Sequence, residues 1–103
     1  MDEKEIGLRI AKLRIKKNVS AREMSLAIGQ NPGYINHIEA GQGLPSLVGL
    51  SYICDYLGIT LSEFFDEENQ CPIKLKSLTT YLKKLNDEQL EAVEKLVKSI
   101  AEK

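Results

Sequence analysis

The chain has no tryptophan, a single histidine, two cysteines and three prolines among its 103 residues, and each scarcity closes off a class of protein. Two cysteines cannot build a disulfide framework. Cys54, within the apolar-rich YICDYL, and Cys71, just before Pro72, also lack the spacing of paired metal ligands, and Cys54 reads as a small core residue. The histidine, His37, has no cysteine or carboxylate at ligand spacing, so a zinc site or a nucleophile–base pair would have to be assembled from scattered single residues. We therefore expect no catalytic residues, no metal, no cofactor and no small-molecule ligand. Long apolar runs are missing as well. No segment approaches the roughly 18 unbroken apolar residues of a membrane span, and the start MDEKEIGLRI is acidic and polar where a secretory signal needs a basic beginning and an apolar stretch. The expectation is a soluble, cytoplasmic protein with no membrane partner.

Glycine is sparse too, with seven residues, while Leu, Ile, Lys and Glu abound, a composition that points to an all-α fold with no sheet. With 43% apolar and 28% charged residues, the chain can build one small core and an appendage. Positive charge is absent from its middle. The net charge of −1 hides three blocks: residues 1–22 carry seven basic and three acidic side chains, residues 23–73 no basic and seven acidic, and residues 74–103 seven basic and five acidic.

What is present is capping chemistry. Asp2 with Glu5, Ser20 with Glu23, and Thr60 with Glu63 have the spacing of a capping box, in which the cap side chain accepts from the third residue's N–H and the carboxylate reaches back. Val19 with Met24 and Ile59 with Phe64 add hydrophobic staples to the second and third of these starts. The signals predict helices over about Glu3–Lys17, Ala21–Ile28, Pro32–Ala40, from Ser46 to Gly58, and Leu61–Asp66. Asn18, Gly29, Gly41 and Gly58 act as stops. The third helix lies in GQNPGYINHIEAG, where Asn31 is a candidate N-cap and Pro32 fits the first helical position. This segment contains no Lys or Arg, so any attraction to nucleic acid must come from elsewhere in the chain.

Met24, Ile28, Gly29, Ile35 and Ile38 put apolar residues where two helices cross, with a glycine in the turn, as a helix-turn-helix requires. From Ile6 to Phe65 the chain resembles the phage-repressor-like, or XRE-type, helix-turn-helix family. RIAKLRIKKNVSAREMSLAIG is similar to its first half, and YINHIEAGQGLPSL followed by YLGITLSEFF to its second. The resemblance implies a five-helix domain over residues 1–68, with the third helix entering the major groove of double-stranded DNA and the start of the second abutting the backbone. Carried over residue by residue, base-contacting positions fall on Pro32, Gly33, Asn36 and His37, and phosphate-contacting positions on Ala21, Arg22, Asn31, Tyr34 and Gln42. Family members often carry Gln at the position of Ala21 and basic or long polar residues at those of Pro32 and Gly33. The resemblance also sets Arg14 opposite Glu39 as a structural pair that orients the third helix.

Asn36 suits a bidentate bond to adenine and His37 a bond to guanine N7 or a phosphate, although both also fit an ordinary exposed polar face. Arg9, Lys12, Lys16, Lys17 and Arg22 are candidates for a positive field beside the groove, Lys17 as a phosphate contact, with a solvated helix face as the alternative. After a polar linker at 69–73, Leu75, Leu78, Leu82 and Leu85 follow 3-4-3 spacing. Asn86 with Gln89 then caps a last helix carrying Leu90, Val93, Val97 and Ile100. Residues 74–103 thus read as a helical hairpin or broken coiled coil that either dimerises the chain or packs on its own domain. We favour the dimer, because two-fold symmetry matches paired operator half-sites. The expected function is a sequence-specific transcriptional regulator, a repressor, that binds a palindromic operator as a homodimer. The alternative is a protein-interaction module on the same scaffold, which the acidic middle block motivates.

Overall fold

The computed structural model describes residues 1–102, and its regular structure is entirely helical: α1 (Glu3–Lys17), α2 (Ala21–Ala27), α3 (Tyr34–Glu39), α4 (Leu47–Leu57), α5 (Leu61–Phe65), α6 (Pro72–Leu82) and α7 (Asp87–Ala101). Capping side chains set the starts. The carboxylate of Asp2 accepts from the Glu5 N–H at 2.8 Å, Ser20 from Glu23 at 2.9 Å and Ser46 from Gly49 at 3.0 Å. At Thr60 and Asn86 the full box closes, with the backbone N–H of each cap donating back to Glu63 at 2.9 Å and to Gln89 at 3.1 Å. At Asp2 and Ser20 only the first half of the box forms. Asn18 (φ 61°) and Gly58 (φ 76°) end α1 and α4 in the left-handed conformation, which turns the chain back toward the core.

The chain divides into a unit spanning Met1–Ile73 and a second spanning residues 74–103. The core of the first draws on every helix from α1 to α5. Ile10, Leu13, Met24, Ile35, Ile53, Leu57 and Phe64 are fully buried, with Ile38, Leu50, Cys54 and Ile59 nearly so. Each such side chain contributes roughly 2 kcal/mol by leaving water. Burial, with a smaller contribution from neighbouring Asp55, pushes the Cys54 thiol up to about 11, so it stays protonated and serves as a small apolar filler. Among the described residues no helix is long and apolar enough to cross a membrane.

One polar side chain crosses this core and was not expected there. Arg9 is only 5% exposed and donates from Nε to the Phe64 carbonyl at 2.9 Å, and from its terminal nitrogen to the carbonyls of Glu63 at 2.9 Å and Asp66 at 3.1 Å. These carbonyls lie at and just past the end of α5, where intrahelical donors run out, so Arg9 caps α5 from α1 and joins the two ends of the unit.

The expected linker at 69–73 is shorter in the structure. Pro72 and Ile73 open α6, Pro72 is fully buried, and Ile73 packs against the core of the first unit. Lys16 reaches the Gln70 carbonyl and lies 3.1 Å from Cys71 Sγ, holding the approach to α6 against α1. Proline fits the opening of a helix because its missing N–H is not needed there. In the second unit, α6 and α7 are separated by a turn that ends at the Asn86 cap. No residue of α7 is buried, and Leu82, Leu90, Val93 and Val97, together with Glu94 and Lys98, line an open groove.

Replacing Arg9 by Met keeps the apolar stem but removes the donor to the Phe64 carbonyl and the second donor to those of Glu63 and Asp66, which also accept from the Asp66 N–H at 3.4 Å and the Asn69 N–H at 3.1 Å. Urea unfolding of Arg9→Met should show a loss of roughly 3 kcal/mol, far above the few tenths expected of a solvated surface arginine. A loss below about 0.5 kcal/mol would mean that Arg9 does not hold α5.

Candidate nucleic-acid interface

The crossing of α2 and α3 is held by one small polar side chain. Ser25 is fully buried, its hydroxyl donates to the Ala21 carbonyl at 2.7 Å, and it accepts from the Ile35 backbone N–H at 3.0 Å. That N–H lies in the first turn of α3, where no intrahelical acceptor is available, so Ser25 satisfies an orphan donor and fixes the crossing in one step. Fully buried Met24 and Ile35 fill the space between the helices. Gly29, at φ +77°, makes the reversal between them.

Entry into α3 differs from expectation. The helix begins at Tyr34 rather than Pro32, and Asn31 does not cap it. Asn31 opens a turn instead: its side chain accepts from the Gly33 N–H at 3.1 Å, its carbonyl accepts from the Tyr34 N–H at 3.1 Å, and Gly33 at φ −94°, ψ 1° has the third-residue geometry of a type I turn with Pro32 at the second position. Asn-Pro is a turn-initiating pair as well as a helix-start signal, and here the turn prevails.

Helix α1 positions the other end of α3. A Cβ at Gly7 would run into the Ile38 carbonyl oxygen and lie 3.0 Å from that of Glu39, so only glycine lets the two backbones come this close. Beside this contact, Arg14 makes a two-pronged pair with Glu39, Nε to Oε2 at 2.7 Å and the terminal nitrogen to Oε1 at 2.9 Å, and donates to the Val19 carbonyl at 2.8 Å. Hydrogen bonding to Glu39 raises the Arg14 guanidinium above its ordinary value, against a smaller opposing effect of burial. The side chains are 16% and 12% exposed, so the pair is shielded from water but not sealed.

These supports bury Ile35 and Ile38 and leave Asn36 and His37 exposed on the opposite side of α3, together with Asn31, Pro32 and Gly33 in its entry turn. All four expected base-contacting residues are therefore exposed on α3 or the turn that leads into it. The expected phosphate set is more dispersed. Arg22 and Gln42 are exposed, whereas the Ala21 side chain is buried in the core and leaves only its backbone to meet a phosphate. Tyr34 is half-buried against the core, and its hydroxyl lies over Gly49, where a Cβ would come within 2.8 Å. Lys17 sits 5.4 Å from the centre of the Tyr56 ring, a cation–π contact that draws its charge toward α4.

Of the five cations expected to supply a positive field, Arg9 is engaged with α5, Lys16 with Gln70 and Lys17 with Tyr56, while Lys12 and Arg22 are exposed. Among the described residues, no group of three His, Cys, Asp or Glu side chains is placed to hold a metal ion. Gly7 and Ser25 were not singled out from the sequence. The available signals were a glycine inside an otherwise regular helix, which marks close backbone approach, and a serine one turn before the glycine that ends α2.

The helix-turn-helix family model matches residues 10–64, a stretch that contains α2, α3 and the Arg14–Glu39 pair. The crystal structure of the clp gene regulator ClgR from Corynebacterium glutamicum is similar over 80% of this chain and 86% of that one, with a TM-score of 0.59 and 24% sequence identity, a likeness of fold. Among curated proteins none matches.

Because Arg14 and Glu39 share a shielded site, removing one strands the other. Arg14→Ala should cost roughly 3 kcal/mol in urea unfolding, and the Arg14→Ala/Glu39→Ala double variant clearly less than the two single costs added. Strict additivity in this double-mutant cycle would show that the pair does not couple α1 to α3.

Proposed function

The chain belongs to the helix-turn-helix family of DNA-binding transcriptional regulators, and from that premise we propose that it represses transcription by binding a palindromic operator as a homodimer, with α3 in the major groove. The observation that carries this reading is the exposed face of α3: Asn36 and His37 point away from Ile35 and Ile38 on a helix held by Ser25 from α2 and by Gly7 and Arg14 from α1. Asn36 has the donor and acceptor to grip adenine N6 and N7, and His37 a ring nitrogen to meet guanine N7. The entry turn at Asn31–Gly33 and the start of α2 at Ala21 and Arg22 face the backbone, where main-chain amides and the Arg22 guanidinium meet phosphates. Residues 1–68 form the reading domain in this account.

The second unit supplies the two-fold symmetry. Leu75 is 50% exposed and Ile100 62%, with Leu78, Leu90 and Val97 also exposed, and so much apolar surface on short amphipathic helices is best covered by a second copy. Leu82, Leu85 and Val93, half-buried in the chain, continue the same stripe. A dimer joined through residues 74–103 presents two α3 helices to two half-sites about one helical turn apart.

Selection of bound duplexes from a random pool tests the reading, and enrichment of a palindrome supports it. With most cations of α1 committed internally, about 2 to 3 phosphates should be neutralised per protomer, giving a dimer salt slope of about −4 to −5. Asn36→Ala or His37→Ala should relax base preference at one position per half-site, by about 1 to 3 kcal/mol where a bidentate pair is lost, and leave the slope nearly unchanged. Arg22→Ala should weaken all sequences alike and flatten the slope. In sedimentation, Val97→Asp should convert a dimer to a folded monomer with much weaker operator binding. If no duplex is bound above background in low salt, the protein-interaction reading replaces this one, and the acidic 23–73 block becomes its leading surface.

A further inference from the structure

We propose that Gly43, in the loop that follows α3, is a specificity-determining residue: by carrying no side chain it lets the loop close on His37 without displacing the imidazole from the orientation it presents to base edges. The inference rests on the DNA-reading function proposed above. A Cβ at Gly43 would lie 3.0 Å from His37 Nε2 and 3.4 Å from His37 Cδ2, and no other neighbour comes within 4 Å. The loop is drawn over the end of α3 from its own side. Gly41 reverses the chain at φ +72°, and the Gln42 N–H donates to the His37 carbonyl at 3.2 Å. Gly41 itself faces α1, where an added Cβ would lie 3.0 Å from Lys4 Cγ and 3.5 Å from Lys4 Cα. A methyl group at Gly43 therefore leaves the exposed imidazole as the part that gives way.

The backbone at Gly43 is not left-handed, unlike that at Gly29, Gly41 and Gly58, so alanine is accepted there without main-chain strain. The consequence of Gly43→Ala is confined to the ring of His37, which turns about its side-chain bonds while the buried core beneath α3 stays as it is. The residue thus acts on base readout through His37 without itself reaching a base, which makes it a positioning residue.

The test uses the full chain as wild type, Gly43→Ala, His37→Ala and the double variant, each taken through duplex selection at one salt concentration. His37 is the only histidine, so its imidazole C–H signals in a proton–carbon NMR spectrum are unambiguous. Gly43→Ala should melt with the wild type, move the His37 ring signals and reduce discrimination roughly fivefold or more at one base pair per half-site, with non-specific binding unchanged. In the His37→Ala background the same substitution should change nothing further. Four results overturn the proposal: unfolding of Gly43→Ala, His37 signals that do not move, base preferences identical to the wild type, or an equal change of preference with His37 absent. In those cases a wild-type chain that still enriches a duplex keeps its DNA-reading role. A wild-type chain that enriches no duplex overturns both.

Discussion

The close approach of α1 to the end of α3 is the constraint on which the remaining arrangement depends. A six-residue helix cannot hold itself in place, since so short a helix is unstable in water and has only two buried side chains, Ile35 and Ile38. Its direction comes from outside: Gly7 lets the α1 backbone reach the Ile38 and Glu39 carbonyls, Arg14 grips Glu39, and Ser25 ties the first turn to α2. Each support touches backbone or a non-reading side chain. The face bearing Asn36 and His37 is thereby left free to vary in chemistry without disturbing the fold.

The same economy shapes the electrostatics. The first 22 residues hold seven of the 14 basic side chains, yet several of these are structural. Arg9 closes α5, Arg14 orients α3, Lys16 holds the approach to α6, and Lys17 leans on Tyr56. On the proposed reading, recognition depends on geometry more than on charge, with backbone amides and a few polar side chains carrying the contact. In the proposed homodimer, a second half-site would add affinity beyond what one reading helix supplies.

Much of this organisation was legible in the sequence because it rests on local chemistry. Asp2, Ser20, Thr60 and Asn86 announce helix starts through hydrogen bonds made within three residues, and the structure makes the cap side-chain bond at all four and the return bond at Thr60 and Asn86. The left-handed Asn18 and Gly58, expected as helix stops, follow the same logic. The readings that failed needed either long-range information or a choice between two local signals. Arg9 read as a candidate for the positive field or for a solvated helix face, because the carbonyls that receive it lie more than 50 residues away. Asn31-Pro32 satisfied both a helix start and a turn, and the Gly33 backbone decided for the turn. Pro72 looked like punctuation within a linker, while in the fold it is a buried residue that opens α6.

Amide chemical shifts recorded while the full-length protein is titrated with a short duplex in low salt test the central claim, that the α3 face supported by α1 and α2 is the surface that meets DNA. The account predicts perturbations concentrated at Ala21–Glu23, Asn31–His37 and Gln42–Gly43, with the exposed α4 residues Leu47, Val48 and Tyr52 unaffected. Perturbations centred on α4 or on α7, with Asn36 and His37 silent, would contradict it.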